Sequence, residues 1–247
     1  VGEPDTDDEI QSLAQATNEV LARLDRQSAA RRRFVADASH ELKSPIANAR
    51  VLVDTGERLP SPELRRRMGA ELDRLQSLVD DLLFLARTDE TAPPAPAPFD
   101  LDDVLFDEAE RATLATELPI EAGGVRPARV LGDRAEVARA VRNLLDNAVR
   151  HARSRVTLAV EDGGDQWVVV VADDGAGVPA ADRERIFERF TRLEADRART
   201  GGGTGLGLSI VATIAGRNNG SVRLLDGPGA RFELSLPAAP ASPHPPS

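Results

Sequence analysis

His40 and Glu41 stand side by side, and Pro45 follows within two helical turns. An imidazole with an unperturbed pKa of about 6.5 is largely neutral near pH 7 and carries a free lone pair, so it can act as a nucleophile. Glu41 can accept an N–H from the ring or an approaching water, which fixes the tautomer and raises nucleophilicity. Pro45 lacks the N–H that would bond the Glu41 carbonyl, so the helix is expected to bend just after the histidine. The bland alternative is a surface histidine on a kinked helix. The residues around His40 do not decide between the two.

Three further signals follow in order. Asn143 and Asn147 lie four apart in NLLDNAVRHA, so their carboxamides share one helical face. Such a pair can hold a hydrated magnesium ion or polar ligand atoms, or simply face solvent. In VADDGAGVP, Asp173 ends a strand, and Gly175 and Gly177 permit backbone conformations and close approaches that side chains forbid. An ordinary Asp-Gly turn would read the same way. In GGGTGLGLSIV, glycines lead into an apolar helix, which presents free N–H groups and a positive dipole end to phosphate. No Gly-Lys-Ser/Thr follows, so this is not a Walker A loop, and no clear strand precedes it as in a dinucleotide fingerprint.

Composition removes several chemistries. There is no cysteine, which excludes disulfides, thiol catalysis and cysteine-ligated zinc. The net charge of −10 argues against a nucleic-acid partner, which needs a basic surface. No apolar run is long enough to span a bilayer, and there is no signal-peptide pattern. The chain starts at Val1, so a membrane part upstream is expected to be missing.

These residues need elements to position them. Ile10, Leu13, Thr17, Val20 and Leu24 alternate by three and four, a heptad seam that calls for a partner helix. The helix is expected to run on to about Gly56. ERLPSPE, 57–63, reads as a turn, because Pro60 and Pro62 cannot both lie inside a helix. A second helix over 63–88 carries Leu64, Met68, Leu72, Leu75, Val79, Leu82 and Ala86 along one face. The pair is an αα-hairpin whose apolar stripe is covered in a homodimeric four-helix bundle. TAPPAPAP, 91–98, is a stiff spacer. Beyond it the pattern predicts helices near 101–117, 133–151, 182–188 and 205–217, and strands near 129–131, 154–161, 167–173, 221–225 and 230–236. This mixture implies a sheet with helices packed on one face.

In this order and spacing, the asparagine pair, Asp-x-Gly-x-Gly and Gly-x-Gly-x-Gly resemble the ATP-binding domain of bacterial sensor histidine kinases. That Bergerat fold is shared with type II topoisomerases and MutL. The resemblance covers 100–237, and Phe187 and Phe190 in IFERFTRLE match the kinases' phenylalanine box. SHELKSP, 39–45, resembles their phosphoacceptor motif, and 7–24 resembles the second helix of a HAMP linker, with Gln11 where glycine is usual.

The implied fold class is α+β: a helical hairpin forming a dimeric four-helix bundle, followed by an α/β sandwich ATP-binding (Bergerat) domain. The domains would be a partial HAMP-like coiled-coil helix (1–28), a dimerisation and histidine-phosphotransfer hairpin (29–90), the spacer (91–98), the ATP-binding domain (99–237) and a disordered tail (238–247).

The resemblance also implies roles. His40 takes the γ-phosphoryl group of ATP and passes it to an aspartate of a response-regulator receiver domain, with Glu41 assisting. Asp173 accepts the adenine amino group, beside Gly175 and Gly177. Asn147 holds magnesium, with Asn143 and Arg150 near the phosphates. Arg150 and His151 stand where the family often has lysine and an aromatic residue. Phe190, Gly203, Thr204, Gly205, Leu206, Gly207 and Leu208 line the lid region, roughly 191–204, and the helix it opens. Ser44, one turn after His40, stands where kinases that also dephosphorylate their regulator carry threonine or asparagine, which implies weak phosphatase activity. The full-length protein would sit at the cytoplasmic face of the bacterial membrane. Two rivals are a Bergerat ATPase acting as a conformational clamp, and a dimeric scaffold with a degenerate kinase domain.

Overall fold

The computed structural model describes residues 18, 21, 35–39, 41–43, 45–51, 53, 62–193 and 203–240. His40, Ser44 and the expected bend between them lie outside these residues. So do all five residues of the heptad seam, most of the turn at 57–63, most of the lid at 191–204 and the tail from 241. The chain divides into two compact units, Val1–Ser77 and Leu78–Ser247.

In the first unit the described residues from 35 to 53 are helical on both sides of Pro45. Helix α1, Pro62–Glu90, starts at a proline. Pro62 was expected in the turn, but its fixed φ suits a first helical position, where the absent N–H costs nothing. Leu72, Val79 and Leu83 on this helix are large apolar side chains left exposed.

The second unit is a two-layer α/β sandwich. A five-stranded sheet runs in the order β2-β4-β5-β7-β6, with β2 Ile120–Gly124, β4 Val156–Asp162, β5 Gln166–Asp173, β6 Ser221–Leu225 and β7 Arg231–Pro237. β2 and β4 are parallel and the other pairs antiparallel. Helices α2, Leu101–Ala115, α3, Arg134–His151, and α4, Gly207–Arg217, pack against it. The alternation that marked the strands is the burial pattern of β4, while β5 and β7 each bury three consecutive residues. Leu158, Val160, Val169, Val171, Phe232, Leu234 and Leu236 are buried. The alternate positions carry Glu161, Arg231, Glu233 and Arg223, linked by ion pairs across three strands.

A small antiparallel pair, β1 Ala97–Asp100 with β3 Arg129–Gly132, lies apart from this sheet. The sequence reading placed no strand at β1 or β2. β1 takes the last residues of the proline-rich stretch, and Pro98 is admissible because β1 pairs on one side only, with β3. β2 contains Gly123 and Gly124, which weaken any strand signal, yet a side chain at Gly124 would stand 2.6 Å from the Ala159 Cβ. The helix expected over 182–188 is instead two 3-10 turns, Ala180–Asp182 and Arg185–Phe187.

Polar staples fix the helices. Asp133 caps α3, its Oδ1 accepting the N–H groups of Ala135 and Glu136. Arg142 and Arg111 both donate to buried Glu108, joining α3 to α2. Burial alone would raise the Glu108 pKa, but these bonds outweigh it and hold the carboxyl below its ordinary value. Arg217 and Asn218 at the end of α4 donate to Glu136 in the first turn of α3. The last turns of α1 belong to this unit. Arg139 donates to buried Asp81 at 2.7 Å and lies over the Phe84 ring, and Arg189 makes a two-pronged bond to Asp89.

Candidate functional site

The site gathers at one end of the sheet, where β5 stops. Asp173 is its last residue, paired with Val156, and is 6% exposed. Its Oδ1 accepts the N–H of Gly175 at 2.8 Å and, more distantly, that of Ala230. Its Oδ2 is buried and has no hydrogen-bond partner among the described residues. A buried acceptor left unmet costs about 1–3 kcal/mol, so this oxygen is suited to an N–H donor from a ligand. Burial raises the Asp173 pKa above its ordinary value, against the lowering effect of the two backbone N–H bonds.

Around Asp173 the chain comes so close that side chains do not fit. A methyl group on Gly175 would collide with the His151 carbonyl, and one on Gly177 would stand 2.9 Å from the Gly229 carbonyl oxygen. Gly177 also has φ 72°, a left-handed value that only glycine adopts at little cost. Gly229 in turn presses on the Asp173 backbone. The Gly229–Ala230 wall was not foreseen. Its signal was the turn DGPG before the last strand, which reads simply as a hairpin connection.

Helix α3 supplies the facing side. Asn143, Asn147 and His151 follow one another at four-residue steps, all half-buried, with exposed Arg150 beside them. The Asn143 amide donates to the Arg139 carbonyl at 3.1 Å, and its oxygen lies 3.1 Å from where a Cβ on Gly207 would stand. A Cβ on Gly203 would collide with the Arg150 guanidinium. Phe190 has φ 61°, unusual for a bulky residue, and its N–H donates to the Gly205 carbonyl at 2.9 Å. Phe187 meets Phe232 of the sheet edge-to-face, with centroids 6.2 Å apart. Thr204 Oγ1 accepts from the N–H of Leu206, which is buried, while Leu208 lies half-buried in the first turn of α4. That helix has no capping side chain at Leu206.

The three glycine- and amide-bearing segments therefore meet around one end of the sheet. Glu41 is helical and half-buried, in the other unit. Among the described residues no group of three or more His, Cys, Asp or Glu could hold a metal ion. No helix among them is long and apolar enough to cross a membrane.

Residues 132–240 match the family model described as histidine kinase-, DNA gyrase B- and HSP90-like ATPase. Residues 30–91 match that of the His Kinase A (phospho-acceptor) domain. The solved structure of the mycobacterial sensor histidine kinase MprB is 31% identical, with a TM-score of 0.53 over 58% of this chain and 99% of that one.

The chain belongs to the sensor histidine kinases.

The probable sensor histidine kinase TcrY of Mycobacterium tuberculosis is 35% identical over 261 aligned residues, which take in 96% of this chain. The chain spans only 54% of the length of TcrY. Full-length ShkA, solved in complex with AMPPNP, superposes on 74% of this chain and 40% of its own, with 29% identity and a TM-score of 0.61. Within this family the match to the phospho-acceptor model covers His40, and the match to the ATPase model covers the site at the end of β5.

Proposed function

We propose that this chain is the kinase part of a two-component sensor: it binds ATP at the end of β5, phosphorylates His40 and passes the phosphoryl group to a response-regulator aspartate. The observation that carries this reading is the buried, unpartnered Oδ2 of Asp173, beside Gly175 and Gly229, with the His151 carbonyl of α3 against Gly175. An acceptor in that position fits the adenine amine. The ATP analogue in the related ShkA complex is in keeping with it.

In this reading Gly175 and Gly177 let the adenine ring lie against backbone, and His151 stacks beside it. The uncapped first turn of α4, with Arg150, Asn143, Thr204, Leu206 and Leu208, surrounds the phosphates. Magnesium fits the donor set. It tends to keep several waters and to be held through phosphates with few protein ligands, so the amide oxygen of Asn147 suffices. When bound it neutralises charge on the triphosphate. A ring nitrogen of His40 attacks the γ-phosphorus, the bond to the β–γ bridging oxygen breaks, and ADP leaves. Glu41 holds the ring's other N–H. Catalysis here is mostly positioning and charge neutralisation.

The domain division proposed is the one read from the sequence, with 29–90 as the phosphotransfer hairpin and 99–237 as the ATP-binding domain. Resemblance of 7–24 to a HAMP helix supports a place at the cytoplasmic face of a membrane. The decisive experiment is incubation with γ-labelled ATP and magnesium. Acid-labile, alkali-stable label on the protein is expected. ATP binding without such label would leave only the clamp or scaffold readings.

Two consequences are testable. The exposed apolar positions Leu72, Val79 and Leu83 repeat at helical spacing on α1, as a homodimer interface requires. Light scattering at micromolar concentration should return twice the chain mass of 26.4 kDa, and a monomer would refute the bundle. Ser44 lies one turn after His40, and its hydroxyl can orient a water toward the regulator's phosphoaspartate. Serine lacks the β-methyl that restricts χ1 in threonine, so the activity should be weak. In decay of phosphorylated regulator with ADP and magnesium, Ser44→Ala should abolish the acceleration and Ser44→Thr should raise it modestly.

A further inference from the structure

Asp174 follows the adenine-facing carboxylate, yet it faces away from it, into the exit of α3. Its Oδ1 accepts the backbone N–H groups of Arg153 at 2.8 Å, Ser154 at 3.0 Å and Arg155 at 3.4 Å. Its Oδ2 accepts the Ser154 hydroxyl at 2.5 Å. One exposed carboxylate thus gathers the whole connection between the end of α3 at His151 and the start of β4 at Val156. A negative charge near a helix C-terminus opposes the helix dipole. The bonds from Ser154, Arg153 and Arg155 offset that and hold the carboxyl well below the ordinary aspartate range.

What this clamp sets is a distance between two walls of the site. On one side is Asp173, locked in orientation through Oδ1. On the other is the last turn of α3, with Arg150 against Gly203 and the His151 carbonyl against Gly175. Residues 152–155 are the only covalent link from that turn back to the strand beside Asp173. They have no regular structure of their own.

We infer that Asp174 is a positioning residue for nucleotide binding: by clamping 153–155 it fixes the last turn of α3, and so Arg150 and His151, relative to the adenine acceptor Asp173. The inference rests on the proposed ATP site. It makes Asp174 act on how well nucleotide is held, with the phosphoryl-transfer step left to other residues. Asparagine can replace it, because one amide oxygen still accepts the three N–H groups while the amide nitrogen donates to the Ser154 hydroxyl.

The test uses the 247-residue chain, with calorimetric titration of ADP and magnesium and ATP-dependence of autophosphorylation. Wild type must bind ADP first; if it does not, the proposed function fails before this inference is reached. Asp174→Ala should raise Kd for ADP and KM for ATP about tenfold, the scale of losing a charge-assisted bond, with binding stoichiometry near one and kcat within about twofold. Asp174→Asn should stay within about threefold of wild type, and Ser154→Ala, which removes only the hydroxyl bond, should fall between. If Asp174→Ala lowers the binding-competent fraction while Kd is unchanged, the carboxylate serves folding alone and the inference is overturned. Unchanged Kd and KM at full stoichiometry overturn it equally.

Discussion

Asp173→Asn should weaken ATP binding by about 10- to 150-fold, the equivalent of roughly 1.5–3 kcal/mol for a hydrogen bond to a charged group. The direction follows from which oxygen is already committed. Oδ1 accepts from the N–H groups of Gly175 and Ala230, so an asparagine there must turn its own oxygen to the same donors. Its NH2 group then takes the place of Oδ2, the buried oxygen without a partner. A donor would face the adenine amine, itself a donor. The fold should tolerate the change, because burial already disfavours the charged form of Asp173 and the amide removes that cost. Calorimetric titration of ATP into the variant measures the effect. Affinity equal to wild type would remove Asp173 from the adenine site and with it the observation on which the proposed function rests.

Asp173 was legible as a candidate because it ends a run of β-branched residues and precedes two glycines. Nothing in the sequence says which carboxylate oxygen is spent on backbone. The second donor to Oδ1, Ala230, is far away in sequence and comes close only because β7 pairs with β5. The same limit explains β1 and β2. Pro98 and Gly124 erase local strand propensity, and both strands exist because a partner strand or a close backbone approach selects them. In contrast, α3 was legible almost to the residue. Asp133 caps it, its apolar residues recur at helical spacing, and its buried face of Val137, Ala140, Val141, Leu144, Leu145 and Ala148 leaves Asn143 and Asn147 turned away from that face. Asp174 went unremarked because most of its partners are backbone N–H groups of a loop, which carry no side-chain signature.

His40→Gln should abolish the acid-labile label, a loss on the order of a thousandfold or more, the scale of removing a nucleophile. The chain has three histidines, His40, His151 and His244, and a single lysine, Lys43, and its arginines stay protonated, so few side chains offer a nucleophilic nitrogen. Of these, His151 lies in the last turn of α3 at the proposed nucleotide site, where the proposal gives it a stacking role. His244 lies in the tail beyond the described residues. Only His40 has a carboxylate as its immediate neighbour and falls within the phospho-acceptor match. Glutamine keeps a similar length and a hydrogen-bonding end while lacking a nucleophilic lone pair, so the helix and the ATP site should survive. The variant should therefore bind ATP within about twofold of wild type while taking no label. His244→Gln should keep full labelling, and His151→Gln should label at saturating ATP. Label that persists in His40→Gln would transfer the role to another side chain and undo the proposed transfer to a regulator. Lost label with lost ATP binding would mean that the substitution has damaged the nucleotide site, and His40→Asn would then have to bind ATP while taking no label.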